Sequence, residues 1–304
     1  MDVYLPIANL SVNGLFIVML GFGTGILSGI FGVGGGFLTT PLLIFYGIPP
    51  TVAAASAATQ VTGASVSGVS AHMRNKGVDF QIGAVMVGGG LCGALIGAGL
   101  FSLLQAIGQI DVVINLLYVI LLGTIGWLML REALAELKPA RFGSKKRAAK
   151  RRHHPMIAAL PYRMRFYASG IYVSPLAPML LGLVVGILTM LMGVGGGFMM
   201  VPAMLYILGM SARVVVGTSL FNILFITMLV TMVHSFTTHA VDIVLAGLLL
   251  VGSVTGAQYG TRIAQVAKPE VLRLILAAIV LAIALRMAFG LTIRPDEVYS
   301  VVPL

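Results

Sequence analysis

The sequence predicts an all-α integral membrane protein of about ten hydrophobic segments, built as two inverted repeats of five with Gly-broken helices near the midplane of the bilayer. Three observations carry this. Of 304 residues, 59% are apolar and only 9% are charged, and the mean hydropathy is +1.04, a composition that water does not solvate. The hexapeptide Gly-Val-Gly-Gly-Gly-Phe occurs twice, at residues 32–37 and 193–198, each copy lying between apolar runs and followed four residues later by a proline, Pro41 or Pro202. The Lys and Arg residues crowd into one stretch between the two copies.

With about 20 residues needed to cross a bilayer, the first half reads as segments at 10–31, 35–48, 51–71, 81–104 and 111–130. The second reads as 175–192, 196–209, 214–234, 241–262 and 271–292. No basic region precedes the first run and no cleavage site follows it, so it is expected to be a retained span. Each first segment runs into the hexapeptide, whose glycines hold a helix poorly. The second segments are short for a full crossing, which makes each hexapeptide the expected tip of a helical hairpin that stops inside the membrane. A backbone break there must be buried in protein or line a cavity. The third segments are rich in Ala, Ser and Thr. The fourth carries Gly88-Gly89-Gly90 and Gly93, read as close helix packing, with the single cysteine, Cys92, as a packed side chain. The last segment holds Arg286, read as structural because its counterpart in the first half is not a cation.

Charge then orients the chain. The net charge of +10 would suggest nucleic acid in a soluble protein, but here the basic residues mark topology, and no nucleic-acid partner is expected. Taking 131–173 as a basic cytoplasmic linker, with Lys145, Lys146, Arg147, Lys150, Arg151 and Arg152, alternation places Arg74, Lys76, Arg213, Arg262, Lys268 and Arg273 inside as well. The outer loops at 47–51, 105–110 and 235–240 have no Lys or Arg. The domains are therefore a first repeat at 1–130, the linker, and a second, inverted repeat at 174–304, with both termini outside. His153 and His154 have no nearby partners, so no metal site is expected, and no cofactor.

Broken segments at corresponding positions of two halves point to a transporter's binding site. Glycine lets exposed amides approach a ligand closely, and helix starts present unpaired N–H groups with partial positive charge, which together suit an oxyanion. The candidate substrate-binding residues are Gly34, Gly35, Gly36, Gly195, Gly196 and Gly197 from the bends, with Thr59, Gln60, Thr218, Ser219 and Asn222 from the third segments. Aligning the halves pairs Ser56 with Thr218, Ala57 with Ser219, Gln60 with Asn222 and His72 with His234. The two histidines read as neutral imidazoles at the membrane interface.

The same residues resemble the TauE/SafE family of membrane transporters. The likeness rests on Gly-Val-Gly-Gly-Gly-Phe, Pro41, the run to Gln60, His72 and Gly77-Val78-Asp79, and on the second copy with Pro202, Gly217-Thr218-Ser219, Asn222, His234, Val241-Asp242 and Gly256-Ala257. The second copy departs after His234, where His239 and Ala240 stand in place of Lys76 and Gly77. The resemblance implies a bacterial inner-membrane carrier of small sulfur-containing anions, sulfite or organosulfonates such as sulfoacetate, working as an exporter. Alternating access is the expected mechanism, and an anion channel on the same architecture is the alternative.

No Asp or Glu falls in the middle of an apolar segment; Asp79, Asp111 and Asp242 all sit at segment ends. That weakens coupling to protons through a carboxylate. An anion leaving a cell that is negative inside already gains about 2.3 kcal/mol per charge per 100 mV. An enzyme is not expected, since no nucleophile lies beside a base within the spans. Oligomeric state is not legible.

Overall fold

The computed structural model describes residues 2–31, 33–74, 77–137, 164–166, 168–266 and 269–292. Five helices come first: α1 (Gly14–Phe31), α2 (Gly36–Phe45), α3 (Pro50–Arg74), α4 (Phe80–Ala106) and α5 (Ile110–Leu137). The same order returns as α6 (Leu176–Met192), α7 (Gly197–Ile207), α8 (Ala212–Val233), α9 (Ile243–Val266) and α10 (Pro269–Thr292). The last residues of α7, from Ala203, are π-helical, and a π turn (His234–Thr238) extends α8. Most of the basic linker, residues 138–163, lies outside the described residues, as do Gly32, Lys76, Lys268 and both chain ends.

Two short antiparallel hairpins precede the helix sets: β1 (Asp2–Leu5) with β2 (Leu10–Asn13), and β3 (Met164–Phe166) with β4 (Ile171–Val173). The sequence places residues 10–13 in the first span, whereas they form β2. Asn13 ends the strand and starts the helix, because its Oδ1 accepts hydrogen bonds from the N–H groups of Leu15 and Phe16 at 3.1 and 3.3 Å.

Among the described residues, six helical stretches are long and apolar enough to cross a membrane, in α1, α4, α5, α8 with its π turn, α9 and α10, and α2, α6 and α7 are shorter apolar helices. Their outer faces expose large apolar side chains such as Leu95, Trp127, Met228 and Leu285. A surface of this kind is stable only against acyl chains, so the protein is a multi-pass membrane protein. α3 is long but not among the six, since its first half, rich in Ala, Ser and Thr, is enclosed by other helices: Ala53, Ala54, Ala57, Ala58 and Val61 are buried. Cys92, read as a packed residue, is exposed on the outer side of α4. The packed side of that helix is taken by glycines, which permit an approach that a thiol would block.

That approach organises the molecule. α1 lies along α9 and α4 along α6, while α5 pairs with α10 and α3 with α8. In the first pair, Gly21, Gly25 and Gly29 abut the backbone of Leu249, Ser253 and Ala257, and Gly252, Gly256 and Gly260 abut that of Val18, Phe22 and Ile26. A β-carbon at Gly21 would stand 2.6 Å from the Leu249 carbonyl oxygen, so the two helices touch through their main chains. α4 and α6 repeat the device through Gly89 and Gly93 against Met179 and Leu183, and Gly182 and Gly186 against Met86 and Gly90. Gly88 is the exception in its run: nothing lies within 4 Å of where its β-carbon would be.

Aspartates fix the starts of α4 and α9. Asp79 Oδ1 accepts from the N–H groups of Gln81 and Ile82, and Asp242 Oδ1 from those of Val244 and Leu245. Each aspartate's own N–H is held by a hydroxyl from the other half, Thr218 Oγ1 at 2.9 Å and Ser56 Oγ at 3.1 Å. Each free carboxylate oxygen then takes a donor from a hairpin region: the Ser169 hydroxyl for Asp79 and the Ile7 N–H for Asp242.

Candidate functional site

The two glycine bends meet. Beyond α1, Gly34 and Gly35 take φ of +80° and +56°; beyond α6, Gly193, Gly195 and Gly196 take +70°, +76° and +70°. Side-chain-bearing residues rarely hold this left-handed backbone, and glycine does so without steric cost. α2 and α7 then restart at Gly36 and Gly197. A β-carbon on Gly36 would lie 3.0 Å from the carbonyl oxygens of Gly193 and Val194, and one on Gly197 would strike the Val33 carbonyl, so each bend backs onto the other. Just inside the two new helices, Phe37 and Phe198 stack with ring centroids 5.5 Å apart.

α3 and α8 wall this junction. Val61 and Ile223 both approach Gly34 and Gly195. The residues immediately before them, Gln60 at 1% exposure and Asn222 at 0%, are the amides paired by the duplication. Asn222 Nδ2 donates to the Met200 sulfur at 3.1 Å, but Asn222 Oδ1 and Gln60 Oε1 have no hydrogen-bond partner. A carboxamide can present its oxygen or, by rotation, its NH2 group. Both carboxamides are thus buried with an oxygen that has no protein partner, each next in sequence to a side chain packed on the bends.

The remaining predicted residues make contacts around the junction. Thr59 Oγ1 reaches the Ala55 carbonyl at 3.2 Å and Thr231 Oγ1 at 3.4 Å, and one turn on, Thr62 and Thr227 bring their hydroxyls to 2.8 Å, so α3 and α8 are stitched together by hydroxyl pairs. The Thr218 hydroxyl is engaged by the Asp79 N–H and by the Val214 carbonyl. Ser219 is fully buried. Gly35 sits beside Ser28 and Thr24, and Gly196 beside Val185 and Thr189, on the flanks of the junction. Arg286 lies on the outer surface with its guanidinium 5.3 Å from the Phe45 ring centroid, in a cation–π contact.

The two histidines differ. His234, read as interfacial, is fully buried: Nε2 lies 3.1 Å from the Met190 carbonyl oxygen, Nδ1 lies 3.2 Å from Thr238 Oγ1, and Phe101 meets the ring edge-on at 4.8 Å. The π turn that begins at His234 brings Thr238 within reach. His72 is half-buried and lines a cavity of about 140 Å³ that extends from Gly34 along α3 to Thr261 of α9. Ser65 also lines it, with its hydroxyl buried and unpartnered. Sequence reading missed Ser65, since one serine in an Ala/Ser/Thr-rich helix resembles any other small residue.

The profile of the family described as Sulfite exporter TauE/SafE matches residues 17–287. The chain belongs to the TauE/SafE family. Among similar proteins, "Probable membrane transporter protein YjnA" of Bacillus subtilis is 28% identical over 275 residues, covering 89% of this chain and 98% of its own. "Probable membrane transporter protein YunE" of the same organism is 26% identical over 290 residues, covering 90% of this chain and 97% of its own. A "Probable membrane transporter protein" of Xylella fastidiosa is 26% identical over 272 residues, covering 88% and 90%. No solved structure matches. The TauE/SafE match spans both bends and both amides.

Proposed function

We propose that this TauE/SafE protein carries small sulfur-containing anions, sulfite or organosulfonates such as sulfoacetate, out across a bacterial inner membrane by alternating access. The observation that carries the reading is the pair of buried amides, Gln60 and Asn222, left incomplete at the junction of two glycine bends. Helix starts at Gly36 and Gly197 bring partial positive charge to the same layer, where the Gly36 N–H is turned back to the Gly34 carbonyl, and the amide NH2 groups add donors without a fixed charge. An oxyanion is bound there by hydrogen bonds alone, which also lets it leave.

The exchange of partners between halves, α1 with α9 and α6 with α4, supports reading them as an inverted repeat of five segments each, with both termini periplasmic. A membrane potential that is negative inside drives a bound anion outward without a coupling ion. No Asp or Glu lies in the middle of a described helix, in keeping with that scheme.

Proteoliposomes containing the purified protein, given radiolabelled sulfite, taurine or sulfoacetate with and without an imposed potential, test the proposal. Saturable flux of at least one of them, accelerated in the direction the potential favours, is expected. Gly34→Leu is expected to abolish it by filling the space at the bend. No flux of any of the three, or unchanged affinity in folded Gly34→Leu protein, contradicts the reading.

A further inference from the structure

We propose that the cavity between α1, α3 and α9 is an anion-loading subsite on the His72 side of the bends, where Ser65 and His72 hold an oxyanion group before it passes Gly34. The cavity measures about 140 Å³. A single water needs about 10–15 Å³ by the same measure, so there is room for a small organic ion. One end is Gly34, part of the bend itself; the other is marked by His72 and Thr261, near the ends of α3 and α9.

The chemistry of the lining selects the sign of the guest. Ser28, Ser65, Ser67, His72, Gln258 and Thr261 can all donate hydrogen bonds, and among the described residues no carboxylate lines the cavity. Ser65 stands out, because it is 1% exposed and its Oγ has no partner, an arrangement that costs stability unless something in the cavity completes it. Arg262 follows Thr261 in the chain, with its guanidinium over the Tyr259 ring, and Arg74 comes two residues after His72, so both helix ends at that side carry a cation. Ala64, Leu220, Val254 and Ala257 supply an apolar wall, which suits an anion with a short carbon chain as well as a bare oxyanion. The matching position in the second half is closed, since His234 is fully buried against Met190 and Phe101. The subsite therefore belongs to one side of the membrane in this conformation.

The inference rests on the transport reading and is tested apart from it. In a Cys92→Ala background, Ser67→Cys places a thiol on the cavity lining. Inside-out vesicles are treated with a sulfonate-bearing and a trimethylammonium-bearing methanethiosulfonate, with rates corrected for reactivity in solution. The anionic reagent is expected to react several-fold faster, and sulfoacetate is expected to slow it; protection by sulfate or phosphate as strong as by sulfoacetate would assign the subsite to oxyanions in general. Ser65→Ala and His72→Gln are each expected to raise the transport KM from this side about tenfold, the loss of one hydrogen bond to a charged group, with little change in maximal rate. Faster reaction of the cationic reagent, absence of protection, or unaltered KM in both variants while Gly34→Leu is inactive would overturn the subsite and leave the transport reading intact. Protection without flux of any sulfur anion in the parent protein would instead remove the transport reading.

Discussion

A buried polar atom without a partner costs a folded protein about 1–3 kcal/mol, so Gln60 and Asn222 destabilise the empty transporter at the place where the bends meet. Gln60→Leu removes that penalty at similar volume. The detergent-solubilised variant is expected to melt at the same temperature as the parent or higher, while transport falls by at least about tenfold, as for loss of a hydrogen bond to an anion. A lower melting temperature with transport intact would make Gln60 a packing residue. Gly195 makes the opposite case: its φ of +76° and a would-be β-carbon 2.8 Å from Val61 Cγ1 mean that Gly195→Ala strains the backbone and pushes on α3. A loss of about 1–2 kcal/mol is expected from the left-handed conformation alone, seen as a lower melting temperature. The bend glycines were legible because only glycine suits such a turn, and the amides because the duplication aligns them. Nothing in the sequence says that Thr218 meets the N–H of Asp79, 139 positions away.

Among the elements, the capped starts of α4 and α9 make a matched pair. Each aspartate takes two N–H groups of its own helix and one donor from a hairpin region, and its backbone N–H is held by the other half. Asp79→Ala and Asp242→Ala are expected to cost similar amounts, about 1–2 kcal/mol each for the cap, measured by thermal unfolding in detergent; a large difference between them would argue against equivalent roles. The helices were legible to within a few residues because apolar length and glycine breaks dictate them, except that α5 runs on to Leu137, seven residues into the expected linker, where polar residues continue the helix beyond its apolar stretch. The hairpins were not, since four-residue strands such as Leu10–Asn13 read as the start of an apolar run until the Asn13 cap is seen. Helix pairing was hidden for a different reason. Glycines spaced four apart, as in Gly21, Gly25 and Gly29, announce a close contact but do not name the partner, and here the partner lies in the opposite half.

At the scale of the whole molecule, the two sides of the junction are unlike. The His72 side carries the cavity, and the His234 side is sealed by the imidazole, the Met190 carbonyl and the Phe101 ring. In an alternating-access cycle these states exchange, so the seal must be weak enough to open. Phe101→Ala removes an aromatic contact worth about 0.5–1.5 kcal/mol. A cysteine introduced by Thr227→Cys is expected to be labelled up to about tenfold faster from the His234 side in that background, and an unchanged rate would place the gate elsewhere. The central claim, that two reversed halves share one anion site and expose it to one side at a time, is tested most directly by exchange. Proteoliposomes loaded with unlabelled sulfoacetate should take up radiolabelled sulfoacetate faster than empty ones, with saturation. Uptake that neither saturates nor responds to internal substrate, together with unitary currents in a planar bilayer, would contradict it.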